Sequence, residues 1–152
     1  MIAAYNERLV GYAMAVNDWD YFYSYIAEPR TRTEVDEFVH LETLELHGKL
    51  ISPNHQTGRK LTIMLACEKA PAEGQLVTYD RPVLGNLDTS KRAMVAYLLL
   101  PAPHVNRIVS VVASNKPLEA LLMTTKIYRN KALVRSVNVF TRQCNVPPSR
   151  RV

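Results

Sequence analysis

Short apolar segments recur along the whole chain, and polar turns that contain proline, glycine or asparagine separate them. Segments of this length, many of which alternate between apolar and polar residues, are typical of strands. The chain has 9 Pro and 5 Gly, which predicts many breaks and few strained turns. Since 152 residues are about the length of one domain, the pattern predicts a single β-rich domain over residues 1–152, with a flexible C-terminal tail from about residue 146.

An aromatic strand is predicted near the N-terminus, over residues 19–26. Its rings fall on every second position, which gives a strand one aromatic face. The four residues are Trp19, Tyr21, Tyr23 and Tyr25. We expect this face to lie in the core, and the alternative is a platform on which bases or sugars stack. Residues 3–16 are expected to form a weak amphipathic helix or an irregular arm, because Gly11 weakens a helix.

Residues 38–51 are compatible with two structures. Thr33 and the acidic residues after it suit a helix N-terminus, and Gly48 suits a helix end. The alternation of apolar and polar residues instead favours a strand over residues 42–51, and we predict the strand.

A hairpin is predicted after this strand. The polar loop over residues 52–60 contains the turn residues Pro53 and Gly58 and leads into an apolar strand over residues 61–69. Residues 70–92 are rich in Pro, Gly, Asp and Asn and lack a periodic pattern, which predicts a long loop.

The second half contains the clearest helix and the clearest hairpin. A continuous apolar run over residues 93–100 predicts a buried strand. Apolar residues then recur at i, i+3, i+4 and i+7, which predicts a helix over residues 103–114. Two β-branched segments joined by the polar turn Tyr128–Lys131 predict an antiparallel hairpin over residues 118–140.

Strict alternation along the last strand assigns its side chains to two faces. One face is expected to carry Arg135, Val137 and Val139, and the other Val134, Ser136, Asn138 and Phe140. Together the elements predict an α+β fold dominated by strands, with roughly six mostly antiparallel strands and one or two helices.

The two halves of the chain carry opposite charge. Residues 1–76 have a net charge of −4, and residues 77–152 have a net charge of +9. A basic stripe on the last hairpin is the predicted binding surface, because it gives an anion a path to follow. Its candidate residues are Lys126, Arg129, Lys131, Arg135 and Arg142. The alternative is that the acidic first half neutralises this stripe through cross-strand pairs.

The densest group of ionisable residues is His40, Glu42, Glu45 and His47. On a strand, His40 and Glu42 share one face while Glu45 and His47 share the other, so the four do not converge. His40, Glu42 and His47 are therefore only weak candidates for catalysis. Zinc ligands at short local spacing are absent from the sequence, so neither a metal site nor a cofactor is expected.

The sequence predicts a cytoplasmic protein without a membrane segment. The apolar stretch near the N-terminus is interrupted by Gly11 and is shorter than a signal peptide or a membrane span. Cys67 and Cys144 are expected to be unpaired thiols, because disulfides are rare in that compartment.

The function predicted from these features is that of a small non-catalytic binding or assembly domain. Its basic C-terminal hairpin is expected to contact an acidic protein surface or nucleic acid, and its opposite charges suggest a homo-oligomer. The alternative is an enzyme of unknown reaction with a His/Glu site around residues 40–47.

Overall fold

The computed structural model describes residues 8–28, 37–67 and 83–141. These ranges contain seven strands, one α-helix and a single 3-10 turn at Asn54–Gln56. The strands are β1 (Val10–Glu28), β2 (Glu37–Ser52), β3 (Lys60–Cys67), β4 (Gly85–Asp88), β5 (Met94–Leu100), β6 (Leu118–Thr124) and β7 (Lys131–Thr141), and the helix is α1 (Ala102–Val112). The predicted α+β fold dominated by strands is confirmed.

The seven strands close into one barrel in the order β1-β2-β3-β5-β4-β7-β6. Six of its seven strand pairs are antiparallel, and β3 and β5 are the parallel pair. The closed order gives each strand two neighbours, which removes most of the exposed edges that an open sheet would have. Inward-facing apolar side chains fill the barrel and form its core, including Met14, Leu44, Leu46, Ile63, Leu65, Leu87, Met94, Leu98 and Leu122.

The helix α1 connects β5 to β6 at one end of the barrel, where it lies against β2, β3 and β7. Its spacing of apolar residues buries Val105 and Val112, so the helix predicted over 103–114 is confirmed. Pro101 and Pro103 occupy the cap and the first turn, where a missing backbone N–H costs little. In the described ranges, no helix is long and apolar enough to cross a membrane.

Two predicted hairpins are confirmed. β2 and β3 pair antiparallel around the loop at 53–59, and β6 and β7 pair antiparallel around residues 125–130. In the second hairpin Tyr128 and Lys131 exchange both backbone hydrogen bonds, and Arg129 and Asn130 between them have φ of 51° and 64°. This is the left-handed two-residue turn that matches the twist of antiparallel strands.

The predicted faces of β7 are wrong for Val134, which precedes Arg135, and correct for the residues that follow Arg135. The register between β6 and β7 shifts at this point, since Met123 pairs with Ser136 and Thr124 pairs with Val134. Arg135 is therefore the extra residue of a β-bulge. Because of the bulge, Val134 shares the inward face with Val137 and Val139, which strict alternation had placed opposite it.

Two further expectations need correction. Val10–Val16 form a strand rather than a helix or an irregular arm, and this strand pairs antiparallel with β6, where Gly11 lies opposite Met123. The loop expected over 70–92 contains the short strand β4, which pairs with β5 and β7. The predicted strands at 42–51 and 93–100 are confirmed, whereas residues 68–82 and the tail from 146 lie outside the described ranges.

The first two strands extend beyond the barrel. β1 pairs with β6 only over Val10–Val16, and β2 pairs with β3 only over Thr43–Lys49. The segments 23–28 and 37–42 beyond these pairings hydrogen-bond to each other. We call this two-stranded ribbon the β1–β2 arm. It projects from the end of the barrel that α1 covers.

The aromatic face of β1 is not in the core, contrary to the expectation. Trp19 is 37 % exposed and Tyr21 39 %, and the exposed fraction rises to 56 % at Tyr23 and 61 % at Tyr25. This face continues the inward face of the barrel wall. Past the rim the rings remain partly exposed, and the Tyr23 ring lies 5.1 Å from that of His40.

Candidate functional site

Three loops meet at the barrel end opposite α1. They connect β2 to β3, β4 to β5, and β6 to β7. The Arg59 guanidinium in the first loop donates hydrogen bonds to the carbonyl oxygens of Thr89, Lys91 and Arg92 in the second. Thr89 N in turn donates to Asn130 O of the third loop at 2.8 Å. These contacts join the three loops into one surface.

Exposed basic side chains are concentrated on this surface. We call the surface that they form the basic end, and it consists of Lys60, Lys91, Arg92, Lys126, Arg129 and Lys131. Asp88 is the acidic residue in the same region, and its carboxylate accepts a hydrogen bond from Ser90 N. Hydrogen bonds from the side chain and the backbone of Ser90 lower the pKa of Asp88, with a smaller contribution from Lys131. Among the described residues, the basic end therefore carries a large excess of positive charge at neutral pH.

The basic end also has concave and aromatic features. A cleft of about 480 Å³ is lined by Gly58, Arg59, Lys60, Arg92 and Ala93. A smaller depression beside it includes Lys91 and Tyr97, and Tyr97 is 54 % exposed. Tyr128 is 72 % exposed, with the Arg129 guanidinium 5.3 Å from its ring centroid. The basic end therefore combines exposed rings with cationic side chains, as do surfaces that bind charged planar ligands.

The structure brings together part of the predicted basic stripe. Lys126, Arg129 and Lys131 lie on the hairpin loop within the basic end. Arg135 is half-buried in the bulge on the barrel wall, away from that loop, and Arg142 lies outside the described ranges. Lys60, Lys91 and Arg92 were missed, because their proximity depends on the closure of the barrel.

A second group of functional side chains surrounds Glu42 at the opposite end. Glu42 lies at the base of the arm on β2, faces inward at the rim of the barrel and is 2 % exposed. Its Oε1 accepts a 2.8 Å hydrogen bond from the Tyr21 hydroxyl. Its Oε2 lies 3.0 Å from His40 Nε2 and 3.5 Å from the Cys67 thiol sulfur, which donates to it.

Burial and the Glu42 carboxylate together raise the pKa of Cys67 and Tyr21. Burial raises the pKa of the Cys67 thiol to about 11, and the adjacent Glu42 carboxylate adds to the increase. Burial and the hydrogen bond to Glu42 likewise raise the pKa of Tyr21 to about 12. Both groups therefore keep their protons at neutral pH and act as hydrogen-bond donors to the carboxylate.

The other face of β2 holds a separate group. His47 Nε2 lies 3.3 Å from both Asp20 Oδ2 and Glu45 Oε2, and His47 Nδ1 lies 3.1 Å from Thr62 Oγ1. The side chain of Asp20 is 74 % exposed. The group His40, Glu42, Glu45 and His47 therefore divides between the two faces of β2, as the strand spacing predicts.

Each face of β2 also recruits a residue that the sequence did not indicate. Cys67 joins His40 and Glu42, and Asp20 joins Glu45 and His47. In each group the three ligand atoms lie within 4.8 Å of one another. Cys67 is 25 residues from Glu42 in the chain, so no local spacing signals this group.

Comparison with known proteins identifies no relative of this chain: no family model, curated protein or solved structure matches it. Functional conclusions therefore depend on the geometry of the two sites.

Proposed function

We propose that this protein is a binding module whose basic end holds the phosphate backbone of single-stranded nucleic acid. The single observation that carries the proposal is the gathering of six exposed basic residues on three joined loops, Lys60, Lys91, Arg92, Lys126, Arg129 and Lys131. Clustered Lys and Arg side chains bind phosphates and release condensed counterions. The exposed rings of Tyr97 and Tyr128 supply faces on which unpaired bases can stack.

The strand order supports the availability of these basic side chains for binding a partner. β7 pairs with β4 and β6, which belong to the basic second half, and not with the acidic strands β1 and β2. The registered cross-strand pair of opposite charge at this end is Lys131 with Asp88. The acidic residues Asp18 and Asp20 lie at the arm end of the barrel. Among the described residues, the strand order therefore gives the basic end no acidic cross-strand partner from the first half.

The test is a salt titration with a labelled oligothymidylate. Binding is expected to weaken with salt, with a slope of about −0.7 in log K against log salt for each phosphate contacted. The double variant Lys126→Glu/Arg129→Glu should reduce the slope by about 1.4, since two contacts are lost. The control Arg107→Glu/Lys116→Glu makes the same charge change at the helix end, on exposed residues, and should leave the slope near that of the parent.

Two results would overturn the proposal. One is equal loss of binding in both double variants, which would show a response to net charge alone. The other is the absence of oligothymidylate binding together with salt-dependent binding of polyglutamate, which would assign the basic end to an acidic protein surface.

A second proposal concerns the β1–β2 arm, which we infer mediates self-association. Its rings are exposed, and both edges of the ribbon are unpaired within the described ranges. Such edges and apolar side chains favour pairing with another copy. Light scattering should give a mass above 17.2 kDa that rises with concentration. Tyr23→Asp should restore the monomer. The control Tyr97→Asp changes a similarly exposed ring on the barrel wall and should leave the oligomer intact. A constant monomeric mass of the parent protein contradicts the proposal.

A further inference from the structure

We propose that His40, Glu42 and Cys67 form a binding site for a divalent cation of the zinc class. The ligand atoms are His40 Nε2, Glu42 Oε2 and Cys67 Sγ. An imidazole nitrogen, a carboxylate oxygen and a thiolate sulfur are the three donor types that Zn²⁺ takes in proteins. The site is independent of the basic end and lies at the other end of the barrel.

Two of the three distances between donor atoms lie close to the edges of a coordination tetrahedron, and the third, from His40 Nε2 to Cys67 Sγ, is within 4.8 Å. With Zn–N and Zn–O bonds of about 2.1 Å and a Zn–S bond of about 2.3 Å, the tetrahedral edges are roughly 3.4 Å for N to O and roughly 3.6 Å for O to S. The structure has 3.0 Å from His40 Nε2 to Glu42 Oε2 and 3.5 Å from Cys67 Sγ to Glu42 Oε2. Small side-chain movements therefore suffice to admit the cation.

The charge of the site favours a cation. The Glu42 carboxylate is buried, and in the described ranges its ion-pair neighbour is His40, which is charged only when protonated, while neither Lys nor Arg contacts it. Removing a carboxylate from water without a compensating positive charge is costly. A divalent cation supplies that charge at the ligand atoms. On binding, the Cys67 S–H bond breaks, the sulfur bonds to the cation, and the proton is released to solvent.

Two neighbours complete the site. The Tyr21 hydroxyl donates to Oε1 of Glu42, which leaves Oε2 directed at His40 and Cys67. Hydrogen bonds of this kind fix the orientation of ligating carboxylates. The side chain of His40 is 34 % exposed, and the Tyr23 ring lies 5.1 Å from its ring centroid. The site therefore opens to solvent on the His40 side, and three protein ligands leave a fourth position for water or a substrate.

The group on the other face of β2 provides the internal comparison. Asp20, Glu45 and His47 contain no thiol, and Asp20 is mostly exposed. Exposed carboxylates are well hydrated and gain less from a cation than a buried one does. His47→Ala is therefore the matched control for His40→Ala.

The test uses the full chain, stripped of metal with a chelator and titrated with Co²⁺. We expect one Co²⁺ per chain with a thiolate-to-cobalt charge-transfer band, loss of that band when Zn²⁺ displaces Co²⁺, and a higher melting temperature with Zn²⁺. Cys67→Ser should abolish the band, and Cys144→Ser should retain it. His40→Ala should weaken metal binding by more than about 100-fold. Mutating a residue that only hydrogen-bonds to a metal ligand already lowers metal affinity by about 10- to 100-fold, and His40 would itself be a ligand.

Three results overturn the proposal. The first is the absence of the band in the parent protein. The second is a band that survives Cys67→Ser and disappears in Cys144→Ser. The third is binding that depends on His47 and not on His40. Circular dichroism verifies the fold of each variant. If Cys67→Ser does not fold, His40→Ala still tests the site, because His40 is partly exposed.

Discussion

The hydroxyl of Tyr21 donates a 2.8 Å hydrogen bond to Oε1 of Glu42, across the first two strands of the barrel. The bond joins the base of the β1–β2 arm to a carboxylate that is 2 % exposed. A buried acceptor that loses its donor retains its desolvation cost, which is why such a pair matters more to stability than an exposed one. The same bond orients Glu42 toward His40 and Cys67, so the arm and the proposed metal site depend on each other.

Tyr21→Phe is predicted to lower the free energy of unfolding by roughly 1–3 kcal/mol, because it leaves one oxygen of Glu42 without its donor. Tyr23→Phe is the matched control, since Tyr23 is 56 % exposed and its ring alone contacts His40. We expect it to change stability by less than about 0.5 kcal/mol. Urea unfolding of the three proteins measures both changes. Equal stability of Tyr21→Phe and the parent would show that water replaces the hydroxyl.

Stability is predicted to fall at alkaline pH through the same cluster. The folded-state pKa is about 11 for Cys67, against an ordinary thiol value of 9.0, and about 12 for Tyr21, against 10.0. Above pH 9 the unfolded chain releases these protons while the folded chain retains them, so the free energy of unfolding decreases as the pH rises. The contribution is fully present below pH 9 and is lost between about pH 9 and pH 12.

Urea unfolding at several pH values in this window tests the sign. The double variant Tyr21→Phe/Cys67→Ser should show a shallower decline than the parent. Part of the decline should remain, because burial also raises the pKa of Tyr12. A parent protein as stable at pH 11 as at pH 8 would contradict the prediction.

Gly48 is predicted to be intolerant of any side chain. A Cβ at this position would lie 2.0 Å from the backbone oxygen of Ala15, where β1 and β2 approach each other. The backbone of one strand must move to admit it, so Gly48→Ala should cost about 3 kcal/mol. At Gly11 the same Cβ meets the flexible side chain of Met123 at 3.3 Å, and Gly11→Ala should change stability by less than about 1 kcal/mol. Thermal unfolding compares the two, and similar melting temperatures would refute the distinction.

The local sequence pattern predicts most strands and the helix of this fold. Which side chains face inward depends on the register between strands, which the local pattern does not contain. The alternation in β1 and β7 indicated strands, but one unpaired residue in each, Asn17 and Arg135, reverses which side chains face inward. A bulge of this kind has no marker in either sequence, because neither position carries glycine or proline. The sequence also does not show that β1 extends beyond the barrel, and for that reason its aromatic face was expected in the core.

The two candidate sites differ in the same way. The charge asymmetry of the sequence indicated a basic surface on the last hairpin, and its loop residues Lys126, Arg129 and Lys131 are there. Lys60 and Arg92 join them only because the barrel closes and Arg59 ties two loops together. At the other end His40 and Glu42 were visible as neighbours on one strand face. Their partner Cys67 arrives from β3, a pairing that requires the tertiary structure.

Tyr128 is predicted to contribute to nucleic-acid binding by stacking. Its ring is 72 % exposed at the tip of the hairpin loop, and its backbone alone pairs with Lys131. Tyr128→Ala should therefore retain the turn while weakening oligothymidylate binding by roughly 5- to 150-fold, the equivalent of about 1–3 kcal/mol for one stacked base. The salt slope should stay unchanged, because stacking releases no counterions. Tyr23→Ala removes an exposed ring from the opposite end and should leave the affinity at the parent value. Fluorescence anisotropy at fixed salt measures each affinity, and an equal loss in both variants would mean that the rings act through stability or self-association and not through contact with bases.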